Sequence, residues 1–187
     1  MITPTAIAGV MLVEPRRFED MRGWFMETWS EAATREAFGS VRFVQDNQSL
    51  SRAAGTVRGL HFQLPPHAQA KLVRVVRGAI LDVAVDIRSG SATFGQHVAV
   101  ELSAANARQL FVPPGFAHGF ITREPDTEVA YKVSDIYAPA CEGGLLWNDP
   151  ALGIDWGPEA ASAVVAERDG SWPVLAGLAA LPAEAWA

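Results

Sequence analysis

Short apolar-rich segments alternate with polar positions through the middle of the chain. From Phe43 to Val133 these segments are rich in Val, Ile, Phe and Thr, and Ser-Gly, Pro-Pro and Pro-Gly breaks separate them. A period of two ended by such turn residues predicts strands, and their regular spacing predicts an all-β barrel or sandwich. Ala79–Ile87 is the clearest case: Leu81, Val83, Val85 and Ile87 share one face, while Asp82 and Asp86 share the other. Phe94–Leu102 and Arg108–Val112 repeat the pattern around a turn at Ser103–Asn106. Ile121 and Val129–Val133 flank Pro125-Asp126, which predicts a hairpin. Glu31–Phe38, closed by Gly39, predicts a short helix, and Ser162–Arg168 predicts a second. The expected architecture is one all-β domain over residues 1–187 with one or two short peripheral helices. It divides into an N-terminal arm to about residue 40, a barrel over about 41–137 and an extension over 138–187.

Composition narrows the possible partners. A chain of 187 residues that is 49% hydrophobic and 19% charged can bury one full core and is not disordered. Its net charge of −6 argues against nucleic acid, so an anionic ligand would need locally clustered Arg and Lys. The single cysteine, Cys141, excludes an intrachain disulfide and fits a reducing compartment, so a cytoplasmic location is expected. The apolar run in Met1–Val13 is too short to span a bilayer, lacks a basic flank and is followed by Glu14. No membrane association is expected.

Against this background, Arg58-Gly59-Leu60-His61-Phe62-Gln63 and the following Lys71-Leu72-Val73-Arg74 stand out. Burying such groups without partners is costly, so titratable chemistry on neighbouring strands points to a site. A histidine, a permanent cation and a possible donor to an oxyanion suit proton abstraction beside a carbonyl on an anionic substrate. Strict alternation would put Arg58 and His61 on opposite faces. Gly59 lies between them, and a bulge there would turn both inward. Taken alone, His61 reads equally well as a hydrogen-bonded interior histidine, Lys71 as a solvated strand end and Tyr131 as a core tyrosine. His118, between aromatics in Pro113–Phe120, reads either as a structural corner or as a ligand contact; His67 and His97 read as surface residues. Strand-borne metal sites favour two histidines one residue apart; here the second position is Gln63, and Lys71 and Arg58 would repel a cation. Asp20–Glu27 and Phe43–Ser49 are polar and aromatic clusters that could contact a ligand or form solvated edges.

Together these segments resemble the dTDP-4-dehydrorhamnose 3,5-epimerase family from about Arg22 to Asp169. The resemblance runs through Arg22-Gly23…Glu27, Phe43–Asn47, Arg58–Gln63, Lys71–Arg74, Asp82–Arg88, Pro113–Phe120, Tyr131-Lys132, Tyr137, Trp147–Asp149 and Gly153–Asp155. It implies a cupin-like double-stranded β-helix (jelly roll), usually a homodimer, with no metal or organic cofactor. It also implies action on dTDP-4-dehydro-6-deoxy-D-glucose in dTDP-L-rhamnose biosynthesis. By position His61 would be the general base, Asp169 its partner, Tyr131 the acid on the opposite face of the sugar and Lys71 the donor to the C4 oxygen. Arg22, Glu27, Gln45, Asp46, Asn47, Arg58, His118 and Glu142 match substrate-contact positions, and Tyr137 the thymine-stacking position. Arg22 and Glu27 would act across the dimer. Arg168 stands where the family often has lysine, compatible with a phosphate contact of altered geometry. Gln48 stands where histidine is common. The rival readings are a single-position epimerase or ketoisomerase on a related dTDP-4-keto-deoxysugar, a metal-dependent cupin oxygenase and a non-catalytic sugar-binding jelly roll.

Overall fold

The computed structural model describes residues 1–186. The N-terminal part contains β1 (Ile2–Pro4), β2 (Met11–Val13), β3 (Arg17–Asp20), β4 (Gly23–Met26) and α1 (Glu31–Phe38). The central part contains β5 (Gln45–Ser51), β6 (Thr56–Gln63), β7 (Lys71–Arg77), β8 (Ala79–Asp86) and β9 (Arg88–Ser89). It continues with β10 (His97–Ser103), β11 (Gln109–Val112), β12 (Phe116–Thr122) and β13 (Thr127–Val133). The C-terminal part adds β14 (Glu142–Gly144), β15 (Val164–Val165) and β16 (Leu181–Pro182). Two sheets face each other, one in the order β1-β2-β11-β7-β13-β5 and the other β10-β8-β12-β6-β14, with β15 alongside β6. This is the expected cupin-like jelly roll.

The alternation has a plain consequence in packing. Val73, Val75, Leu110, Val112 and Val129 from the first sheet meet Ile80, Ala84, Leu102, Phe116 and Phe120 from the second in one interior core. The outer face of the second sheet is buried as well. Val57, Leu60, Val83, Val85, Ala117 and Ile121 pack beneath Leu145, Leu152, Trp156 and Trp186 of the C-terminal segment. β8 is therefore packed on both faces, and the face carrying Asp82 and Asp86, which reads as polar in the sequence, is completely buried. α1 covers the first sheet through Phe38, stacked on Phe111 at 3.9 Å. It begins where the Ser30 hydroxyl accepts a hydrogen bond from the Ala33 N–H, and it ends at Gly39 (φ 65°) as the sequence predicts.

Three expectations are corrected. The segments around Pro125-Asp126 do not form a hairpin. β12 pairs with β6 and β8, β13 pairs with β5 and β7, and the turn carries the chain from one sheet to the other. Ser162–Arg168 is not a helix either: a 3₁₀ turn ends at Ser162, and Val164–Val165 pair in parallel with Thr56–Val57. The β-branched pair gains a ladder and Val165 gains contact with the outer core, which outweighs any local helical preference. Finally, the barrel does not stop near residues 41 and 137, because β1, β2 and β14 are integral strands of the two sheets.

Candidate active site

β6 carries the bulge expected at Gly59. In its ladder with β12, His61 lies opposite His118 and Arg58 opposite Phe120. Three steps along β6 thus match two along β12, which restores Arg58 and His61 to the same inward face. Val57, Leu60 and Phe62 take the outer face. Gly59 has φ 127°, and a Cβ there would lie 2.5 Å from Gly119 Cα, so glycine alone fits this close approach.

A cavity of about 480 Å³ opens at this end of the barrel. His61, Arg58 and His118 line it from the second sheet; Lys71, Tyr131, Gln45 and Asn47 line it from the first. Tyr137, Glu142, Arg168 and Asp169 close its rim. The imidazole Nε2 of His61 lies 2.7 Å from Asp169 Oδ1, and Asp169 Oδ2 accepts the Gly59 N–H at 3.1 Å. Burial acts to raise the Asp169 pKa, but the bonds from His61 and Gly59 and the charge of Arg168 outweigh it and hold the carboxylate below its ordinary range. Donating Nε2–H to Asp169 leaves Nδ1 as the basic nitrogen.

The inward face of β7 carries Lys71 beside the core residues Val73 and Val75. Its ammonium donates to the His61 carbonyl at 3.2 Å. Desolvation pushes its pKa down to about 8, against the opposing pull of Asp82 and Glu142. Tyr131, half-buried on β13, has its pKa raised by burial against the opposing charge of Arg58, so its phenol is a proton donor at neutral pH. Arg58 is held by the Ser51 hydroxyl and the Leu50 carbonyl, each at 3.1 Å. Glu142 accepts from the Tyr137 hydroxyl and from Arg168, each at 2.9 Å.

Three of the sequence-derived candidates lie outside this cavity. Asp46 points to the opposite side of β5 from Gln45 and Asn47, where Lys132 donates to both carboxylate oxygens at 2.9 Å. Arg22 sits in the exposed turn between β3 and β4, bonded to Asp20. Glu27 lines a separate groove with Phe18, Phe25 and Trp29. One important residue was not singled out. Asp82, with no exposed surface, accepts from His118 Nε2 at 2.8 Å and leaves Oδ2 without a partner among the described residues. A carboxylate on an otherwise apolar strand was the available signal.

A cupin-like jelly roll with a histidine–carboxylate pair, a desolvated lysine and a tyrosine in its barrel mouth defines the class: a carrier of acid–base chemistry on a small polar substrate. The sequence profile of the dTDP-4-dehydrorhamnose 3,5-epimerases matches residues 4–177. The chain belongs to that family. A dTDP-4-dehydrorhamnose 3,5-epimerase of Sinorhizobium fredii is 53% identical over 91% of this chain and 87% of its own length. The dTDP-6-deoxy-D-glucose-3,5-epimerase of Legionella pneumophila, solved in complex with dTDP-4-keto-L-rhamnose, superposes with a TM-score of 0.90 at 41% identity, covering 100% of this chain and 96% of that one. A 3'-monoepimerase of Streptomyces bikiniensis, solved with dTDP-quinovose, also gives 0.90, at 36% identity, covering 98% of this chain and 94% of the other.

Proposed function

We propose that this protein inverts C3 and C5 of dTDP-4-dehydro-6-deoxy-D-glucose to give dTDP-4-dehydro-L-rhamnose, as a cytoplasmic step of dTDP-L-rhamnose biosynthesis. The observation that carries the reading is the bulged strand, which presents His61, backed by Asp169 at 2.7 Å, to the cavity that Lys71 and Tyr131 also line. The C4 ketone acidifies the hydrogens on C3 and C5. His61 Nδ1 removes one, and Asp169 stabilises the imidazolium that forms; such general-base catalysis is worth about 10²–10⁴-fold. The enolate oxygen develops its charge beside the Lys71 ammonium, and removing one preorganised donor of this kind costs about 10²–10³ in rate. Tyr131, on the facing sheet, returns a proton from the other side and so inverts the centre. Arg58 and Arg168 bind the diphosphate by charge-assisted hydrogen bonds, and Tyr137 stacks on the base.

The apolar side chains of the β3–β4 hairpin, Phe18, Met21, Trp24 and Phe25, are exposed in the single chain. That exposure supports a homodimer in which the hairpin docks on the partner and Arg22 and Glu27 complete the nucleotide site there. The deciding experiment is proton NMR of the 4-keto nucleotide sugar incubated with enzyme in D₂O. Deuterium should enter at both C3 and C5. His61→Asn should abolish incorporation while leaving dTDP affinity intact, and substantial residual exchange would remove His61 from the base role. The likeness to a 3'-monoepimerase makes single-position epimerisation the second reading. Deuterium at C3 alone would select it.

A further inference from the structure

Asp169 does not lie on a strand. It sits in an irregular turn in which the Gly170 N–H bonds to the Ala166 carbonyl, and both the Ser171 N–H and hydroxyl bond to the Arg168 carbonyl, all within 3.1 Å. What holds this turn against His61 is therefore a question of its flanks. Upstream, β15 pairs with the start of β6. Downstream, the Leu146 N–H bonds to the Pro173 carbonyl at 2.8 Å, and Trp172 lies against β14.

The contact of Trp172 with β14 is specific in place. Gly144 is the residue directly opposite His61 in the β14–β6 ladder. A Cβ on Gly144 would fall 2.2 Å from the Trp172 ring, so the indole occupies the space that any other side chain would fill. From there the ring meets His61 edge to face, with centroids 6.3 Å apart and planes at 73°. The Arg168 guanidinium lies over the same indole at 5.9 Å, while bonding Glu142 and reaching within 3.6 Å of Asp169. One aromatic residue thus touches the general-base imidazole and the arginine next to its carboxylate partner, and rests on the strand that pairs with β6. Its Nε1–H is buried without an acceptor among the described residues. The ring's placement is accordingly set by its shape against Gly144, His61 and Arg168 rather than by a hydrogen bond.

We propose that Trp172 is a positioning residue: it clamps the Asp169 turn onto β14 and fixes the plane of the His61 imidazole, acting on proton transfer through the His61–Asp169 pair. This rests on the base role assigned to His61 above. A displacement of about 1 Å in a catalytic group can cost on the order of 10²-fold in rate. Trp172→Ala should therefore lower kcat about 10–100-fold while changing KM and dTDP affinity less than about threefold. Trp172→Phe, which keeps a flat ring and removes the unpartnered N–H, should restore kcat to within about threefold of the parent.

The discriminating measurement is a double-mutant cycle with Asp169→Asn. If Trp172 acts through the pair, Trp172→Ala should reduce the kcat of the Asp169→Asn enzyme less than about twofold. Multiplicative losses would overturn the proposal, as would an unchanged kcat in Trp172→Ala. A loss confined to KM would overturn it too, by placing the effect on Arg168 and substrate binding. Should Trp172→Ala not fold, Trp172→Leu, which restores part of the apolar volume but not the flat edge, is read by the same criteria. The wild-type exchange experiment keeps the two ideas separate. No deuterium exchange in the parent enzyme sinks the epimerase reading, whereas normal exchange with an indifferent Trp172→Ala sinks only the positioning role.

Discussion

Lys71 offers the sharpest test of the chemistry, because one side chain sets both a kinetic and a thermodynamic expectation. Burial moves its pKa from 10.5 to about 8. That gap corresponds to about 3 kcal/mol disfavouring the ammonium in the folded chain, an upper bound because the side chain keeps some contact with solvent. The kinetic sign follows from the enolate, which needs the charged form. Above about pH 8 the rate should fall tenfold per pH unit, to about a tenth of its plateau at pH 9. Tyr131 does not interfere, since its pKa is raised above 10.0. Lys71→Arg stays charged throughout this range and should lose the alkaline limb. Lys71→Met should lower kcat about 10²–10³-fold. The thermodynamic sign is opposite to the catalytic one. Below pH 8 both folded and unfolded chains carry the proton and the desolvation cost is fully present; between 8 and 10.5 the unfolded chain binds more protons, so wild-type stability rises. Lys71→Met should thus be more stable than wild type at pH 7, by up to about 3 kcal/mol, with the excess shrinking across that window. Urea titrations at pH 7 and 9.5, with pH–rate profiles of the three proteins, measure both. An unchanged alkaline limb in Lys71→Arg, together with a Lys71→Met enzyme within fivefold of wild-type kcat, would refute the reasoning.

Other expectations follow from the same geometry. Tyr131→Phe should uncouple the two halves of inversion, so that solvent deuterium still enters the substrate while NMR finds little completed epimer; unchanged product formation would contradict the acid assignment. Gly59→Ala combines a left-handed backbone, costing about 1–2 kcal/mol, with a methyl group forced against Gly119, costing about 1–3 kcal/mol. Its urea midpoint should drop by about 1–2 M, and a midpoint within 0.3 M of wild type, on the order of fitting error, would show that β6 needs no glycine there. Light scattering should show a dimer. Trp24→Glu in the exposed hairpin should shift it toward monomer and weaken dTDP binding; a stable dimer with full affinity would separate the hairpin from both roles.

Much of this protein could be read along the chain. A period of two marks the strands because successive side chains fall on opposite faces whatever they pack against, so the inward sets Val73–Val75 and Val129–Tyr131 were visible locally. Gly39 marked the end of α1 because its left-handed backbone is a local requirement. Gly59 betrayed the bulge because Arg58 and His61 share a site only if one extra residue separates them. Long-range packing decided the remainder. A turn such as Pro125-Asp126 looks the same whether its strands pair with each other or join different sheets, since hydrogen-bond partners are chosen by distant strands. Asp82 looked like a polar-face carboxylate because alternation distinguishes two faces without telling how many are buried: its own face lines the barrel interior, and the C-terminal segment buries the Val83–Val85 face. Resemblance alone marked Asp169, and its bond to His61 spans 108 positions, formed by a turn without period or motif. Asp46 and Arg22 show the converse: a residue's place in a motif does not tell which side of its strand, or which part of the surface, its side chain occupies.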